Sequence, residues 1–172
     1  MKHIPLTQGQ FATVDDEDFE RLSNYKWHAV WKDKPQTYYA ATNSIIDGNR
    51  RILHMHRFLM GVPKDHKSRV DHIDHNGLNN QKSNLRVCTH QQNCQNRAKH
   101  KFNIHGLPKG VSFYSKKQLE KPFRANICVN KKRINLGYFA TKEEAATAYN
   151  VAASQYFGEF DCYASTHKPS KV

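Results

Sequence analysis

The chain has 172 residues, with 27 lysines and arginines against 15 aspartates and glutamates, which gives a net charge of +12 and a pI of about 9.6. Aromatic residues make up 11%, too many for a wholly disordered chain. There is no apolar run of about 18 residues and no apolar N-terminal stretch, so we expect neither a membrane span nor a secretory signal. We therefore expect a cytoplasmic protein with no membrane partner, and the charge favours a polyanion such as nucleic acid.

The positive charge is concentrated in the second part of the chain. Residues 1–96 carry a net charge of +3, and residues 97–172 carry +9. A polar, basic stretch near the middle contains Gly106 and Pro108, residue types that interrupt regular structure. We predict two small domains, at 1–97 and 110–163. A basic linker at 98–109 joins them, and a flexible tail follows at 164–172.

Short aromatic and β-branched segments predict several strands in the first domain. The predicted elements are a strand, a helix or turn, two strands, a hairpin and a short helix, in that order: 11–14, 15–24, 25–30, 37–42, 45–53 and 56–60. The hairpin is predicted from Asp47-Gly48 or Gly48-Asn49, which are residue pairs of tight turns. Trp27 and Trp31 are expected to anchor the core of this domain.

The densest polar segment follows the short helix. Arg69 to His72 and Leu85 to Cys88 predict two short strands, and the Asn-, Asp- and Gly-rich residues between them predict a loop. Thr89 to Gln92 matches a capping box, which predicts the start of a helix that carries Asn93. The predicted order is strand, long loop, strand, helix.

Three side chains in this segment could act on a phosphodiester. Asp71 offers a carboxylate oxygen and Asn93 an amide oxygen, and hard oxygen donors suit Mg²⁺. A metal ion beside a phosphodiester can neutralise charge and stabilise the leaving oxygen. His72 has an ordinary pKa of about 6.5 and could take a proton from water. The alternative is a polar loop with no chemistry.

The second domain predicts a sheet covered by a helix. Three strands are predicted at 110–114, 123–129 and 132–138, and the second alternates apolar with polar residues. Thr141 to Glu144 is a capping box, and alanines and tyrosines recur at helical spacing until Gly158. The predicted fold class is α+β, with a small three-stranded sheet packed on one helix in this domain.

Segment 70–96, VDHIDHNGLNNQKSNLRVCTHQQNCQN, resembles the ββα-metal motif of phage-type HNH homing endonucleases. Residues 54–60 and 4–27 also resemble the corresponding parts of such proteins. The resemblance implies an N-terminal HNH nuclease domain with a ββα-metal core at about 69–97.

The resemblance implies a role for each residue at a matching position. Asp71 and Asn93 would hold Mg²⁺ or Mn²⁺, with Asn93 in place of the motif's final histidine. His72 would be the general base, and Asn84 would brace the loop and help orient His72. The zinc-binding cysteine pairs of some HNH nucleases are missing from the sequence, so no structural zinc is expected. His54 and His56 could form a metal pair, with DNA-backbone contact or packing as the alternative.

The second domain resembles the ethylene-response (APETALA) type of DNA-binding domain. The resemblance is carried by Lys109-Gly110-Val111, by residues 133–139, by Glu143 to Tyr149 and by Phe157 to Phe160. In that family a three-stranded sheet enters the major groove, where a β-ribbon fits. The candidate DNA contacts of both domains are His56, Arg57, Lys109, Arg124, Lys132, Arg133 and Asn135.

These observations predict a metal-dependent homing-type endonuclease that hydrolyses duplex DNA, with site choice from the C-terminal domain and a setting in a phage or its bacterial host. One alternative is a DNA-binding regulator with a decayed nuclease domain, and another is a protein that binds nucleic acid through charge alone. No protein partner is evident. A monomer would nick one strand, whereas a homodimer would cut both.

Overall fold

The computed structural model describes residues 1–46, 48–63, 67–96, 106–114 and 120–162. It mixes helices and strands, which confirms the α+β class, and it divides into two compact units, Met1–Cys94 and Gln95–Val172. The predicted tail, most of the predicted linker and Asp47 of the predicted hairpin lie outside the described residues. Within the described ranges, no helix has both the length and the apolar character needed to cross a membrane.

The first unit is built from short strands and helices. Its strands are β1 (Lys2–Pro5), β2 (Phe11–Val14), β3 (His28–Lys32), β4 (Thr37–Ile46), β5 (Asn49–His54), β6 (Arg69–His72) and β7 (Leu85–Cys88). Its helices are α1 (Asp16–Ser23), α2 (Met55–Leu59) and α3 (His90–Asn96), of which α3 continues into the second unit. A single helical turn, Lys82–Asn84, precedes β7.

The strands of the first unit form three small antiparallel sheets. β1 pairs with β2, β6 pairs with β7, and a three-stranded sheet has the order β3-β4-β5. The three sheets and helices α1 and α2 share one core, because apolar residues from each of them are buried together with Trp27: Ile4, Ala12, Val14, Leu22, Ala40, Met55, Leu59, Val70 and Leu85. Burying one such large side chain contributes about 1.5–3 kcal/mol to folding.

Most elements of the first unit agree with the sequence patterns, with two exceptions. Strand β1 was not predicted. Trp27 is buried, as expected, but the expectation for Trp31 was wrong, since its side chain is 46% exposed. Trp31 lies near the end of β3, where it packs edge-on against Tyr38 and donates its indole N–H to Asp33 at 2.9 Å.

The second unit is a sheet with one long helix. Its elements are β8 (Val111–Phe113), β9 (Phe123–Val129), β10 (Lys132–Phe139), α4 (Lys142–Phe157) and a final helical turn, Gly158–Phe160. The antiparallel order is β10-β9-β8, so the predicted three-stranded sheet on one helix is confirmed. The core consists of Ile127 of the sheet and four residues of the helix: Tyr149, Ala152, Ala153 and Phe157.

One detail fixes where α4 begins, and another explains how closely it lies on this sheet. The capping box is present, since Thr141 Oγ1 accepts from the Glu144 N–H at 3.2 Å and the Glu144 carboxylate accepts from the Thr141 N–H at 3.4 Å. Gly110 has a positive φ, and a Cβ there would come within 1.9 Å of the Tyr149 ring. Only glycine fits this position, because both its conformation and its surroundings exclude a side chain.

Candidate functional site

The strand–loop–strand–helix order predicted for residues 69–96 is present. In the β6–β7 pair, Asp71 lies opposite Arg86 and His72 lies opposite Leu85. Thr89, directly after β7, caps α3: its Oγ1 accepts from the Gln92 N–H at 3.2 Å, and the Gln92 side chain accepts from the Thr89 N–H at 2.9 Å. The predicted capping box is therefore confirmed, and it fixes where the helix begins.

Asp71 is held by a cross-strand ion pair. Arg86 donates from Nε at 3.1 Å and from Nη2 at 2.9 Å, and both bonds end on Oδ2 of the carboxylate. Both side chains are about nine-tenths buried, at 10% and 9% exposure. The pair fixes the carboxylate and leaves Oδ1 outside these two bonds. Sequence reasoning missed Arg86, because it predicted the two strands but not the register in which they pair.

His72 ends β6 and is 5% exposed. Burial lowers its pKa, while a hydrogen bond with the Asn80 side chain and the negative charges of Asp74 and Asp71 act in the opposite direction. The net lowering keeps the imidazole neutral at pH 7, the form in which it can accept a proton. Asn80 is 1% exposed and was also missed in the sequence, where it is one of several asparagines in a polar loop.

His72 belongs to a cluster of four rings. The His56 ring meets the His72 ring edge-on, with 5.0 Å between centroids, and stacks on His54 at 5.4 Å. Tyr39 packs against all three histidines, with centroid distances of 5.5–6.3 Å. We name Tyr39, His54, His56 and His72 the histidine cluster.

The position of His56 corrects an expectation. His56 is 8% exposed, and its pKa lies well below the ordinary value because it is buried and because His72, His54 and Arg57 add positive charge around it. The His56 ring thus packs within the histidine cluster, away from the surface where a DNA contact was expected, and that contact stays a prediction. Among the described residues, no group of three or more His, Cys, Asp or Glu side chains is arranged to hold a metal ion.

Asn84 braces the loop between β6 and β7. Its Oδ1 accepts from the Asp74 N–H at 3.0 Å, and its Nδ2 donates to Asp74 Oδ1 at 2.9 Å and to the Asn79 carbonyl at 2.8 Å. The Asn84 backbone carbonyl also accepts from Ile73, the residue after His72, at 2.9 Å. Asn84 therefore ties both ends of the loop to each other beside His72.

The same loop is anchored to two other strands of the first unit. Thr13 of β2 donates to Leu78 at 2.9 Å and accepts from Asn80 at 2.7 Å through backbone groups. The Gly77 N–H donates to Thr37 of β4 at 3.1 Å, and a Cβ on Gly77 would lie 2.4 Å from the Tyr38 carbonyl oxygen. These contacts explain how the N-terminal strands hold the loop in a single position.

Asn93 lies in the first turn of α3 and is half-buried. Its N–H donates to the Thr89 carbonyl at 3.0 Å, so the capping box sets its position. Since α3 follows β7 directly and β7 pairs with β6, Asn93 and Asp71 lie on neighbouring elements of one motif. Burial raises the pKa of Cys88, the last residue of β7, to about 11, so this side chain is a thiol at neutral pH.

Two of the expected DNA contacts are turned toward the protein. Arg57 donates from Nη1 to the Ser68 carbonyl at 3.3 Å and from Nη2 to the Pro63 carbonyl. Lys109 donates from Nζ to the Gln95 carbonyl at 2.8 Å and to Cys162 Sγ at 3.3 Å. Backbone carbonyls engage both cations, and the contact of these two residues with DNA stays a prediction.

The other expected contacts lie on or beside the sheet face opposite α4. Arg124 donates from Nη1 to the Tyr114 hydroxyl at 3.1 Å and from Nε to Asn135 Oδ1 at 3.2 Å, and its guanidinium lies 5.8 Å from the Tyr138 ring centroid. Lys132 and Arg133 are exposed at the start of β10. We call Tyr114, Arg124, Asn135 and Tyr138 the open-face cluster.

Comparison with known proteins covers the candidate site and most of the chain. Residues 59–95 match a family described as HNH endonuclease. An uncharacterized HNH endonuclease of Acanthamoeba polyphaga mimivirus is 33% identical over 159 residues, which cover 89% of this chain and 74% of the relative. No solved structure matches the chain. The family match ends at the first residue of the second unit, and neither match describes an ethylene-response domain, so that resemblance has no support from these comparisons.

Proposed function

The chain belongs to the HNH endonuclease family, and from this premise we propose that it is a metal-dependent, homing-type endonuclease that hydrolyses phosphodiester bonds in duplex DNA. The observation that carries the proposal is the pair of consecutive residues at the end of β6. Asp71 is a buried carboxylate fixed by Arg86, and His72 is a buried histidine kept neutral by its surroundings. A metal ligand and a general base would then stand side by side.

The donor set fits a hard divalent cation. Asp71 and Asn93 would hold Mg²⁺ or Mn²⁺ through a carboxylate and an amide oxygen, and such ions accept few protein oxygens together with waters. The bound ion would neutralise charge on the scissile phosphate and stabilise the leaving oxygen. Arg86 would be a positioning residue, because it holds Oδ2 and so fixes the direction in which Oδ1 points.

His72 would act as the general base. It would take a proton from the attacking water, whose oxygen forms a bond to phosphorus while the bond from phosphorus to the 3′ oxygen breaks and that oxygen takes up a proton from solvent water. The products are a 5′-phosphate and a 3′-hydroxyl. The lowered pKa of His72 favours this role, since the ring is already unprotonated near neutral pH. Asn80 and the Asn84-braced loop would hold the ring and its strand in place.

The second unit would supply affinity and site choice. Four of the expected contacts support this: Arg124 and Asn135 belong to the open-face cluster, and Lys132 and Arg133 are exposed at the neighbouring strand end. An exposed antiparallel sheet that carries arginines can enter a major groove. One catalytic site per chain would nick DNA as a monomer and would cut both strands as a homodimer.

The proposal is tested by relaxation of supercoiled plasmid with Mg²⁺. We expect nicked or linear product from the unmodified protein, and loss of that product with EDTA or with His72→Ala. His3→Ala is the matched control, since His3 is an exposed histidine on β1 of the same unit. Absence of cleavage by well-folded protein, with salt-sensitive DNA binding retained, would contradict the proposal and favour the regulator alternative.

A further inference from the structure

Strands β4 and β5 extend beyond the rest of their sheet. β3 pairs with β4 only from Thr37 to Ala41, whereas β5 pairs with β4 from Ala41 to Ile46. The remainder is a two-stranded ribbon, which we define as residues 42–46 and 49–53 and call the β4–β5 ribbon. At about 3.3 Å per residue its strands are roughly 13 Å long. No third strand pairs with it among the described residues.

One face of this ribbon continues from the histidine cluster. Opposed residues of an antiparallel pair share a face, and the register pairs Ala41 with His54. Side chains two positions further along each strand share that face: Asn43, Ile45, Arg50 and Ile52. We call these four residues the histidine-side face. It leads directly to His54, which stacks on His56, and His56 in turn meets His72.

The histidine-side face has an unusual composition for an exposed surface. Ile45 is 77% exposed and Ile52 is 49% exposed, and Asn43 and Arg50 are exposed beside them. Arg51 lies on the opposite face, paired with Ser44. Together, residues 42–53 contain two arginines and one carboxylate, Asp47. Exposed β-branched residues next to an arginine favour a partner that offers both apolar groups and negative charge.

We propose that the histidine-side face enters the major groove of duplex DNA next to the bond that is cut. This inference rests on the proposed function, because it takes His72 as the general base beside the DNA bond that is cut. The major groove is about 12 Å wide and admits a two-stranded ribbon. Arg50 reaches a phosphate or a guanine edge, Asn43 offers an amide to a base edge, and the two isoleucines contact thymine methyl groups. The first unit then contacts DNA through its own element, independently of the second unit.

The test measures DNA binding in a His72→Ala background, so that cleavage does not interfere. The probe is a mixed-sequence duplex, and affinity is measured by fluorescence anisotropy over a series of salt concentrations. Arg50→Ala is compared with Lys32→Ala, which removes the same charge from an exposed site at the other end of the same sheet. We expect Arg50→Ala to weaken binding about tenfold and to lower the slope of log affinity against log salt by about 1. Lys32→Ala should change neither quantity.

Two further variants sharpen the result. Arg51→Ala should weaken binding less than Arg50→Ala, because Arg51 lies on the other face. Ile45→Ser should weaken binding without altering the salt slope, since it removes an apolar contact. Equal effects of Arg50→Ala and Lys32→Ala would overturn the inference. So would an Ile45→Ser variant that abolishes self-association and leaves DNA binding unchanged, because the face would then join two copies of the chain.

These outcomes also separate this inference from the proposed function. If the protein with His72 intact binds DNA through Arg50 but never cuts it, DNA binding by the ribbon stands, while the endonuclease proposal and the placement beside a cut bond fail. If the protein cuts DNA and Arg50→Ala binds and cuts normally, the reverse holds. Lys32, Ile45 and Arg50 are exposed and Arg51 is half-buried, so the thermal unfolding midpoint of each variant is measured to check that the fold is retained.

Discussion

The β6–β7–α3 motif of the first unit and the sheet of the second unit use arginine in opposite ways. Arg86 is about nine-tenths buried and pairs with a buried carboxylate, whereas Arg124 lies on an exposed face and is held by a tyrosine hydroxyl and an asparagine oxygen. A buried pair strengthens local electrostatics and excludes water, which suits chemistry on a phosphate. An exposed, pre-oriented guanidinium keeps donors for a partner, which suits recognition. Under the proposed function, the contrast separates a region for reaction from a region for binding.

The largest expected effect is the loss of reaction without loss of binding. His72→Ala should lower the cleavage rate by about 10²–10⁴-fold, because a positioned general base contributes about that much. Its affinity for a mixed-sequence duplex should remain that of the unmodified protein. Single-turnover cleavage and anisotropy titration measure the two quantities separately. A variant that lost affinity and rate together would show that the motif also serves in binding.

The next effect concerns the stability of the buried pair. Arg86→Ala should lower the free energy of unfolding by about 3 kcal/mol, because it leaves the Asp71 carboxylate buried without its cation. Urea unfolding checks the loss, and Asp71→Asn combined with Arg86→Met should restore part of it by removing both charges. Arg86→Lys is the matched control, since it keeps the charge and loses the two-pronged contact. An unchanged midpoint for Arg86→Ala would mean that water reaches the carboxylate.

A smaller effect is expected in the second unit, and it should be the reverse of the His72→Ala effect: a loss of DNA affinity without a loss of cleavage rate. Arg124→Ala should weaken DNA binding by about 1–3 kcal/mol, while the single-turnover rate at saturating protein stays constant. Lys121→Ala, at an exposed position just before β9, removes the same charge outside the open-face cluster. If Lys121→Ala weakens binding as much as Arg124→Ala, total charge rather than the cluster governs affinity.

The smallest effect is a dependence of stability on pH. The pKa of buried His56 in the folded state lies well below the 6.5 of an unperturbed histidine. The unfolded chain therefore binds the proton first, and the stability that the neutral ring contributes is present above pH 6.5 and is lost as pH falls from there toward the folded-state pKa. The loss should be up to about 1.4 kcal/mol per pH unit. Urea titrations at pH 7 and below should show a flatter dependence for His56→Phe, and an unchanged slope would contradict this account.

The sequence predicted those parts of the fold that depend on neighbouring residues. The capping boxes at Thr89 and Thr141 and the alternation along β9 are local patterns, and the structure contains them. It did not predict β1, where four residues pair with β2 without a pattern of their own. Trp31 was misassigned because an aromatic residue in a strand does not reveal how far the core extends.

The candidate site shows the same division. Asp71 and His72 were chosen because a carboxylate and an imidazole occupy consecutive positions and because the segment resembles the HNH motif. Their roles remain predictions. Arg86 and Asn80 were missed because one depends on cross-strand register and the other on a loop folding back. Lys109 was assigned to DNA from the resemblance to ethylene-response domains, but its ammonium donates to a carbonyl and to a thiol of the protein. Charge is readable in a sequence, whereas the direction of a side chain depends on tertiary contacts.

Because Gly77 packs closely against the Tyr38 carbonyl, strand β4 sets the distance between the loop after His72 and the β4–β5 ribbon. One end of this strand carries the loop that follows His72, and the other end continues into the β4–β5 ribbon. A strand has a fixed rise per residue, so the spacing between those two ends is set by the number of residues and not by a hinge. Under the proposed mode of binding, the offset between the bases that contact the ribbon and the bond that is cut would be set by the length of this one strand. Adding two residues to both β4 and β5 would lengthen the distance between the loop after His72 and the end of the ribbon, while each side chain would stay on its own face of the sheet.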